Sequence, residues 1–276
     1  MIDLLKIAKN LKKEEDGIYH SKTSSNISYP DEGNSDCFQI EENSFWFTHR
    51  NNVIKKAVLK YSPQKLFFDI GGGNGFVSKG LQDEGLEVVL VEPGYDGALN
   101  AKKRNIKNIV CSTLEDSQFQ KSSLASIGMF DVVEHIDDDL GFLKNVYDYL
   151  EDDGNVYITV PAFNFLWSNE DDIAGHFRRY SLSQLEEVLT SCGFSITYST
   201  YVFSILPFPV FLFRSIPSRI GLNKNPGKLS KQQREHNTDK NFFNAILNRL
   251  WRWELKKIEN SKKIPFGGSC FVVAKK

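Results

Sequence analysis

The sequence predicts a doubly wound α/β protein built on a mostly parallel, seven-stranded sheet. Three observations predict it. Short apolar runs alternate with helix-like segments from residue 66 to residue 160, the pattern of strand–helix units that feed a parallel sheet. The first run, Leu66-Phe67-Phe68-Asp69-Ile70, leads through its acid into Gly71-Gly72-Gly73-Asn74-Gly75, a turn in which backbone must approach a ligand closely. About twenty residues further on, Glu87–Val91 ends at Glu92, a carboxylate well placed for a ribose diol.

The elements follow in order. Residues 1–15 read as a helix with Ile2, Leu4, Leu5, Ile7, Ala8 and Leu11 on one broad side. Residues 16–44 are polar and turn-rich, with the clearest break at Tyr29-Pro30-Asp31-Glu32-Gly33-Asn34. The aromatic cluster Phe45-Trp46-Phe47 then opens a helix, with Asn43 and Ser44 before it and Arg50 within it. Strand 66–70, helix 75–84, strand 87–91, helix 96–104, strands 108–111 and 126–130, helix 138–150 and strand 155–160 make up the alternating core. Ser181 and Gln184 form a capping box for a helix that stops at Cys192-Gly193. Strand six spans Phe194–Thr200, and Ser269–Ala274 supplies a seventh, antiparallel strand at the edge.

Between those two strands lie residues 201–266, far longer than a hairpin loop. The insertion opens with the aromatic run Tyr201–Phe213 and continues through Arg214, Arg219, Lys224, Lys228 and Lys231. Apolar sequence with flanking cations suits contact with an anionic lipid surface, and it suits equally a lid or a homodimer interface. Residues 241–259 read as an amphipathic helix with Phe242, Ile246, Leu250 and Trp253 on one face. The expected organisation is therefore a covering segment 1–64, a nucleotide-binding core 65–200, the insertion 201–266 and a final core strand within 267–276.

Composition narrows the class. The chain is 41% hydrophobic and 25% charged over 276 residues, ordinary for a globular protein. Cys37, Cys111, Cys192 and Cys270 lie far apart without a C-x-x-C pair, which argues against a zinc or disulfide framework. No apolar run reaches membrane-spanning length, and no signal peptide is recognisable; the expected location is cytoplasmic, with peripheral membrane contact through 201–220 as the variant. The net charge of −1 hides an asymmetry: residues 214–276 hold fifteen Lys/Arg against four Asp/Glu, which leaves −12 on residues 1–213. The basic stretch is interleaved with apolar residues and matches no nucleic-acid motif, so no nucleic-acid partner is expected.

The turn also excludes two nucleotide classes. A dinucleotide fingerprint needs glycine where Phe76 stands, and a Walker loop needs a Gly-Lys-Ser/Thr that is missing. FDIGGGNG, VVLVEP, SIGMFDVVEHIDD and GNVYITVPA instead resemble the class I S-adenosylmethionine-dependent methyltransferases over roughly residues 40–200 and the last ten. The resemblance implies a Rossmann-like methyltransferase fold, S-adenosylmethionine as cofactor, S-adenosylhomocysteine as product and no metal. It also implies site roles. Gly71, Gly72 and Gly73 pass beneath the methionine part, and Asp69 fixes its amino group or an ordered water. Glu92, followed by Pro93, accepts the ribose hydroxyls; Thr113 and Leu114 bracket adenine; and Phe130, Asp131 and Val132 wall the sulfonium. Trp46 and Arg50 lie over the cofactor, a guanidinium being able to grip the methionine carboxylate in two places.

The acceptor side is less determined. His135, in D-V-V-E-H-I, is either a general base beside the transferred methyl or a packing residue. Gly175-His176-Phe177-Arg178-Arg179-Tyr180 resembles a G-H-x-R-R-Y segment of small-substrate and lipid-intermediate methyltransferases, which makes His176, Arg179 and Tyr180 candidate acceptor contacts. The bland alternatives are helix caps or surface ion pairs for Asp69 and Glu92, a surface cation for Arg50, and pairing of Arg178 and Arg179 with Glu170, Asp171 or Asp172. The expected activity is methyl transfer to an oxygen or nitrogen of a small, lipid-linked or glycan-linked acceptor. Its rivals are a nicotinamide-dependent oxidoreductase and a non-catalytic protein that binds an adenosyl ligand.

Overall fold

The computed structural model describes residues 2–22, 38, 40–42, 44–61, 64–222 and 242–276. The turn at Tyr29–Asn34, Cys37, Asn43, Lys224, Lys228 and Lys231 lie outside these residues. Strands β1 (Leu11–Lys13), β2 (Tyr19–Ser21), β3 (Leu66–Ile70), β4 (Glu87–Val91), β5 (Asn108–Cys111), β6 (Leu124–Phe130), β7 (Leu150–Pro161), β8 (Ser195–Val202) and β9 (Ser269–Lys275) form one sheet. Its order is β1-β2-β5-β4-β3-β6-β7-β9-β8. The five core strands β3 to β7 run parallel, as the alternating pattern predicts, and the order of strand addition reverses at β3, with β4 and β5 on one side and β6 and β7 on the other. That reversal is the switch point where ligands of such sheets collect.

Each parallel strand is apolar on both sides because helices cover both faces. Phe68, Ile70, Val89 and Val91 point into one layer with Leu143, Val146, Leu185 and Leu189. Phe67, Val88 and Tyr157 point into the other with Ile54, Val58, Leu81, Trp251 and Ile258. The covering helices are α1 (Leu4–Ile7), α2 (Phe45–Tyr61), α3 (Phe76–Asp83), α4 (Tyr95–Lys103), α5 (Leu114–Ser117), α6 (Asp139–Tyr149), α7 (Asn169–Ala174) and α8 (Leu182–Ser191). The insertion contributes α9 (Pro207–Val210), a π-helical turn at Phe211–Ser215, α10 (Ile216–Arg219) and α11 (Phe242–Glu259). No helix among the described residues is long and apolar enough to cross a membrane.

Three expectations need correction. The N-terminal stretch is not one helix: α1 ends at Ile7, and β1 and β2 form a hairpin whose second strand pairs in parallel with β5, raising the strand count from seven to nine. Gly17, at φ +82°, makes the turn, and Asp16 accepts a hydrogen bond from the Ile18 amide at 2.9 Å. The buried Leu4, Ala8 and Leu11 satisfy a helical spacing and a helix–strand corner equally well. Second, β9 is antiparallel but internal, lying between β7 and β8, so β8 is the edge strand.

Third, α11 buries Leu247, Trp251, Glu254 and Ile258 rather than the stripe containing Leu250 and Trp253. A buried, multiply hydrogen-bonded carboxylate overrides the apolar count. Glu254 is fully buried 3.0 Å from His49 Nε2 on α2 and also accepts from the amides of Phe203 and Ser204 at 3.0 and 2.6 Å. Burial would raise its pKa, yet the hydrogen bonds from His49 and Ser204 hold it below the usual carboxylate value. A charge buried with this many donors is retained only where its geometry is fixed, so Glu254 locks the end of the insertion to the core. Cys111, Cys192 and Cys270 are free thiols.

Candidate active site

The carboxyl ends of β3, β4, β5 and β6 surround one cavity of about 460 Å³. The glycine turn forms its floor. Gly71 and Gly73 hold φ values of +67° and +53°, which side-chain-bearing residues rarely adopt. Space excludes a side chain as well: a Cβ on Gly71 would meet Val132 Cγ2 at 2.6 Å, and one on Gly72 would meet Leu90 Cδ1 at 2.9 Å. Glu92 reaches back from β4 and accepts from the amides of Gly73 and Gly94, both at 2.8 Å, so the second strand fixes the turn made by the first. Asp69 is buried beneath the turn and accepts from Ser78 Oγ at 2.6 Å. Burial pushes its carboxyl up to about 6, against the pull of Ser78 and Arg50.

Helix α2 supplies the lid side. Arg50 packs over the Trp46 ring at 5.4 Å, pairs with Asp131 Oδ2 at 2.7 Å and donates to the Phe130 carbonyl at 2.7 Å. Asp131 holds a positive φ of 60° directly after β6 and also accepts from Thr159 Oγ1 at 3.1 Å. A strained non-glycine backbone held at a strand end by two partners is characteristic of ligand sites. Thr113 caps α5 by accepting from the Asp116 amide at 3.0 Å, which presents Ser112, Thr113, Leu114 and Glu115 along one wall beside Pro93. Trp46, Arg50, Asp69, Gly71, Gly72, Gly73, Glu92, Pro93, Thr113, Leu114, Phe130, Asp131 and Val132 thus all line the same cavity.

The four candidate acceptor residues divide. His135 and His176 line the cavity, with ring centroids 4.7 Å apart. Burial and the neighbouring His176 push the His135 imidazole down to about 4, so it is neutral at pH 7. Arg179 and Tyr180 do not line the cavity. Arg179 grips Asp171 through Nε at 2.7 Å and Nη2 at 3.0 Å and donates to the Ala162 carbonyl at 3.1 Å. Tyr180 is buried and donates to Asp139 Oδ2 at 2.6 Å. The ion-pair alternative describes Arg179 with Asp171, whereas Arg178 pairs with Asp139 at 2.8 Å, outside the acids expected for it. Asp171 also accepts from His176 Nδ1 at 2.8 Å, and the Phe177 amide donates to the Glu134 carbonyl at 2.8 Å. The G-H-F-R-R-Y loop is therefore held by its own charges, and His176 is the residue it presents to the cavity.

Sequence reasoning missed Glu41, Asn74, Ile136 and Phe142 in the wall. Glu41 pairs with Arg104 at 2.5 Å and accepts from Asn74 Nδ2 at 3.2 Å. Asn74 alone carried a signal, as the polar residue inside the glycine turn. Glu41 lies in a turn-rich stretch without pattern, and Arg104 reads as one more cation in a solvated K-K-R run.

A family model described as a methyltransferase domain matches residues 46–199. The chain belongs to this family and is a class I S-adenosylmethionine-dependent methyltransferase. No curated protein matches the sequence. Among solved structures, a methyltransferase of Thermotoga maritima is 16% identical with a TM-score of 0.56, covering 89% of this chain and 95% of its own. The phosphoethanolamine N-methyltransferase 2 of Haemonchus contortus, solved with S-adenosylmethionine, is 20% identical with a TM-score of 0.55. That match covers 90% of this chain but 58% of the longer nematode enzyme. The [4+2]-cyclase SpnF is 14% identical with a TM-score of 0.51, covering 82% and 81%. At these identities the likeness is one of fold, and SpnF illustrates that the fold does not dictate one reaction.

The buried Asp69 makes a pH prediction. Its folded value of about 6 lies above the ordinary 3.8, so the cofactor-free protein retains a proton that the unfolded chain releases. Stability should therefore fall as pH rises from about 4 to about 6, by at most about 3 kcal/mol from this group. Asp69→Asn should remove that component. Urea denaturation from pH 4 to 7 would show it as a shrinking wild-type-minus-variant difference at low pH, and a pH-independent difference would contradict it.

Proposed function

We propose that the cavity binds S-adenosylmethionine in one orientation and delivers its methyl group to an oxygen or nitrogen of an acceptor entering past His135 and His176. The observation that carries this reading is the convergence of Asp69, Glu92 and Asp131, from three separate strand ends, on one cavity with a glycine floor. In this reading Glu92 accepts the two ribose hydroxyls, since each carboxylate oxygen has lone-pair capacity beyond its backbone amide. Ser112, Thr113, Leu114 and Glu115 flank the adenine. Asp69 and the turn amides meet the methionine end, and Arg50 exchanges part of its contact with Asp131 for the methionine carboxylate. Phe130, Asp131 and Val132 border the sulfonium. Methyl transfer is an in-line displacement, so positioning supplies most of the rate and a catalytic base is optional. Arg179 and Tyr180 act through the loop they brace rather than by touching the acceptor.

The acceptor class we infer is amphiphilic, a small molecule with an apolar part or a lipid- or glycan-linked one. Its support is an exposed apolar surface on the insertion: Phe208 is 67% exposed, Phe213 73%, Ile220 65% and Leu222 73%. Such residues clustered on short helical turns in a cationic region suit an interfacial element on anionic lipid. This face is braced on the site loop through Ser215, which donates to the Leu166 carbonyl at 2.8 Å.

Two measurements test these readings. Calorimetric titration with S-adenosylhomocysteine, NAD and NADP should give micromolar binding of the first alone. Binding of a nicotinamide nucleotide instead would contradict the cofactor reading. In flotation with vesicles, the chain should rise with anionic phosphatidylglycerol membranes and less with neutral phosphatidylcholine, and Phe208→Asp with Phe213→Asp should abolish it. A wild-type chain that stays at the bottom with both vesicles would overturn the interfacial reading.

A further inference from the structure

Glu134, His135 and His176 form a cluster that the cofactor reading leaves largely unexplained. Glu134 and His135 lie in the 3-10 turn Val133–His135 after β6, and His176 follows α7. One donor atom from each lies within 4.8 Å of the other two. Glu134 is completely buried, and neither of its carboxylate oxygens has a hydrogen-bond partner among the described residues. A buried carboxyl group with no donor is rare and costly, and it calls for a ligand that satisfies it. The nearest charges do not provide one: Arg50 is paired with Asp131 at 2.7 Å, and Arg179 with Asp171 at 2.7 Å.

A carboxylate orients one of the two imidazoles. His176 Nδ1 is 2.8 Å from Asp171 Oδ1, and Asp171 is itself gripped by Arg179. A carboxylate on Nδ1 fixes the tautomer that leaves the Nε2 lone pair for a cation, the carboxylate–histidine–metal arrangement of many metal sites. The His135 ring packs edge-on against that of His176, with centroids 4.7 Å apart. A carboxylate and two imidazoles form a donor set for first-row divalent metals, whereas magnesium and calcium prefer oxygen alone.

We propose that Glu134, His135 and His176 bind one divalent transition-metal ion, of the zinc or manganese type, at the edge of the cavity. Tetrahedral coordination at about 2.1 Å would bring the donors to roughly 3.4 Å from one another, a closure of at most about 1.4 Å from their present separations. His135 and His176 line the cavity and Glu134 does not, so the remaining coordination positions face the space where the acceptor enters. On the acceptor reading above, an oxygen or nitrogen of the acceptor takes one of those positions and is oriented toward the methyl group.

The test uses the full chain, stripped with a chelator and dialysed. Calorimetric titration with zinc and, separately, manganese and magnesium is run beside the same titrations of Glu134→Gln and His176→Asn. Each sample is also titrated with S-adenosylhomocysteine, which reports cofactor binding and folding independently of the metal. The proposal expects one zinc or manganese site per chain, at least tenfold weaker in each variant, little response to magnesium, and S-adenosylhomocysteine affinity within a few-fold of wild type. Cobalt substitution should add visible d–d absorption that Glu134→Gln loses. Absence of a saturable zinc or manganese site in wild type, or one equally tight in both folded variants, would overturn it. Loss of S-adenosylhomocysteine binding in the wild type would count against the cofactor reading instead.

Discussion

The two hydrogen bonds from the amides of Gly73 and Gly94 to Glu92 are the constraint on which the site depends. They join the turn after β3 to the end of β4, and they hold a carboxylate against the mouth of the cavity at 7% exposure. Only glycine permits the turn to lie there, because Val132 and Leu90 occupy the space a Cβ would need at Gly71 and Gly72. The residue that fixes the floor is thus also the one suited to read a diol. The same economy recurs at Arg50, which ties α2 to the Phe130 carbonyl and to Asp131 and so closes the cavity from above.

Charge is used differently at the periphery. The pairs Glu254–His49 and Asp171–Arg179 are buried, and each binds a segment outside the parallel strands to the core. Buried pairs contribute little net stability relative to apolar packing, but breaking one leaves an uncompensated charge. Their value here is register: Glu254 selects which face of α11 turns inward, and Asp171 selects which ring atom His176 offers the cavity. Glu134 departs from this logic, since it is as deeply buried as either acid and its carboxylate has no such donor among the described residues.

Much of this was legible in the sequence. Apolar runs with an acid at or just beyond their end located β3 and β4, and the glycine turn with Phe76 at its sixth place separated this cofactor class from dinucleotide binders. All thirteen candidate cofactor residues line one cavity: eleven because strand ends in a parallel sheet converge by topology, and Trp46 and Arg50 because α2 lies over those ends. What failed had physical reasons. Three-residue strands such as β1 and β2 leave no measurable period. The face of α11 was misread because a paired glutamate, not an apolar residue, sits at its centre. Arg179 and Tyr180 carry the chemistry of acceptor contacts; the pairing of Arg179 with Asp171 was among the alternatives, whereas Asp139, the partner of Tyr180, was hidden by a sequence separation of 41 residues.

The most direct test of the account is the affinity of Glu92→Ala and Glu92→Gln for S-adenosylhomocysteine, measured by calorimetry on variants shown to be folded. Loss of charge-assisted hydrogen bonds to the ribose should weaken binding by about 1–3 kcal/mol, roughly five- to 150-fold, with Gln less affected than Ala. An affinity equal to wild type in both folded variants would contradict the claim that the strand-end carboxylates hold the cofactor.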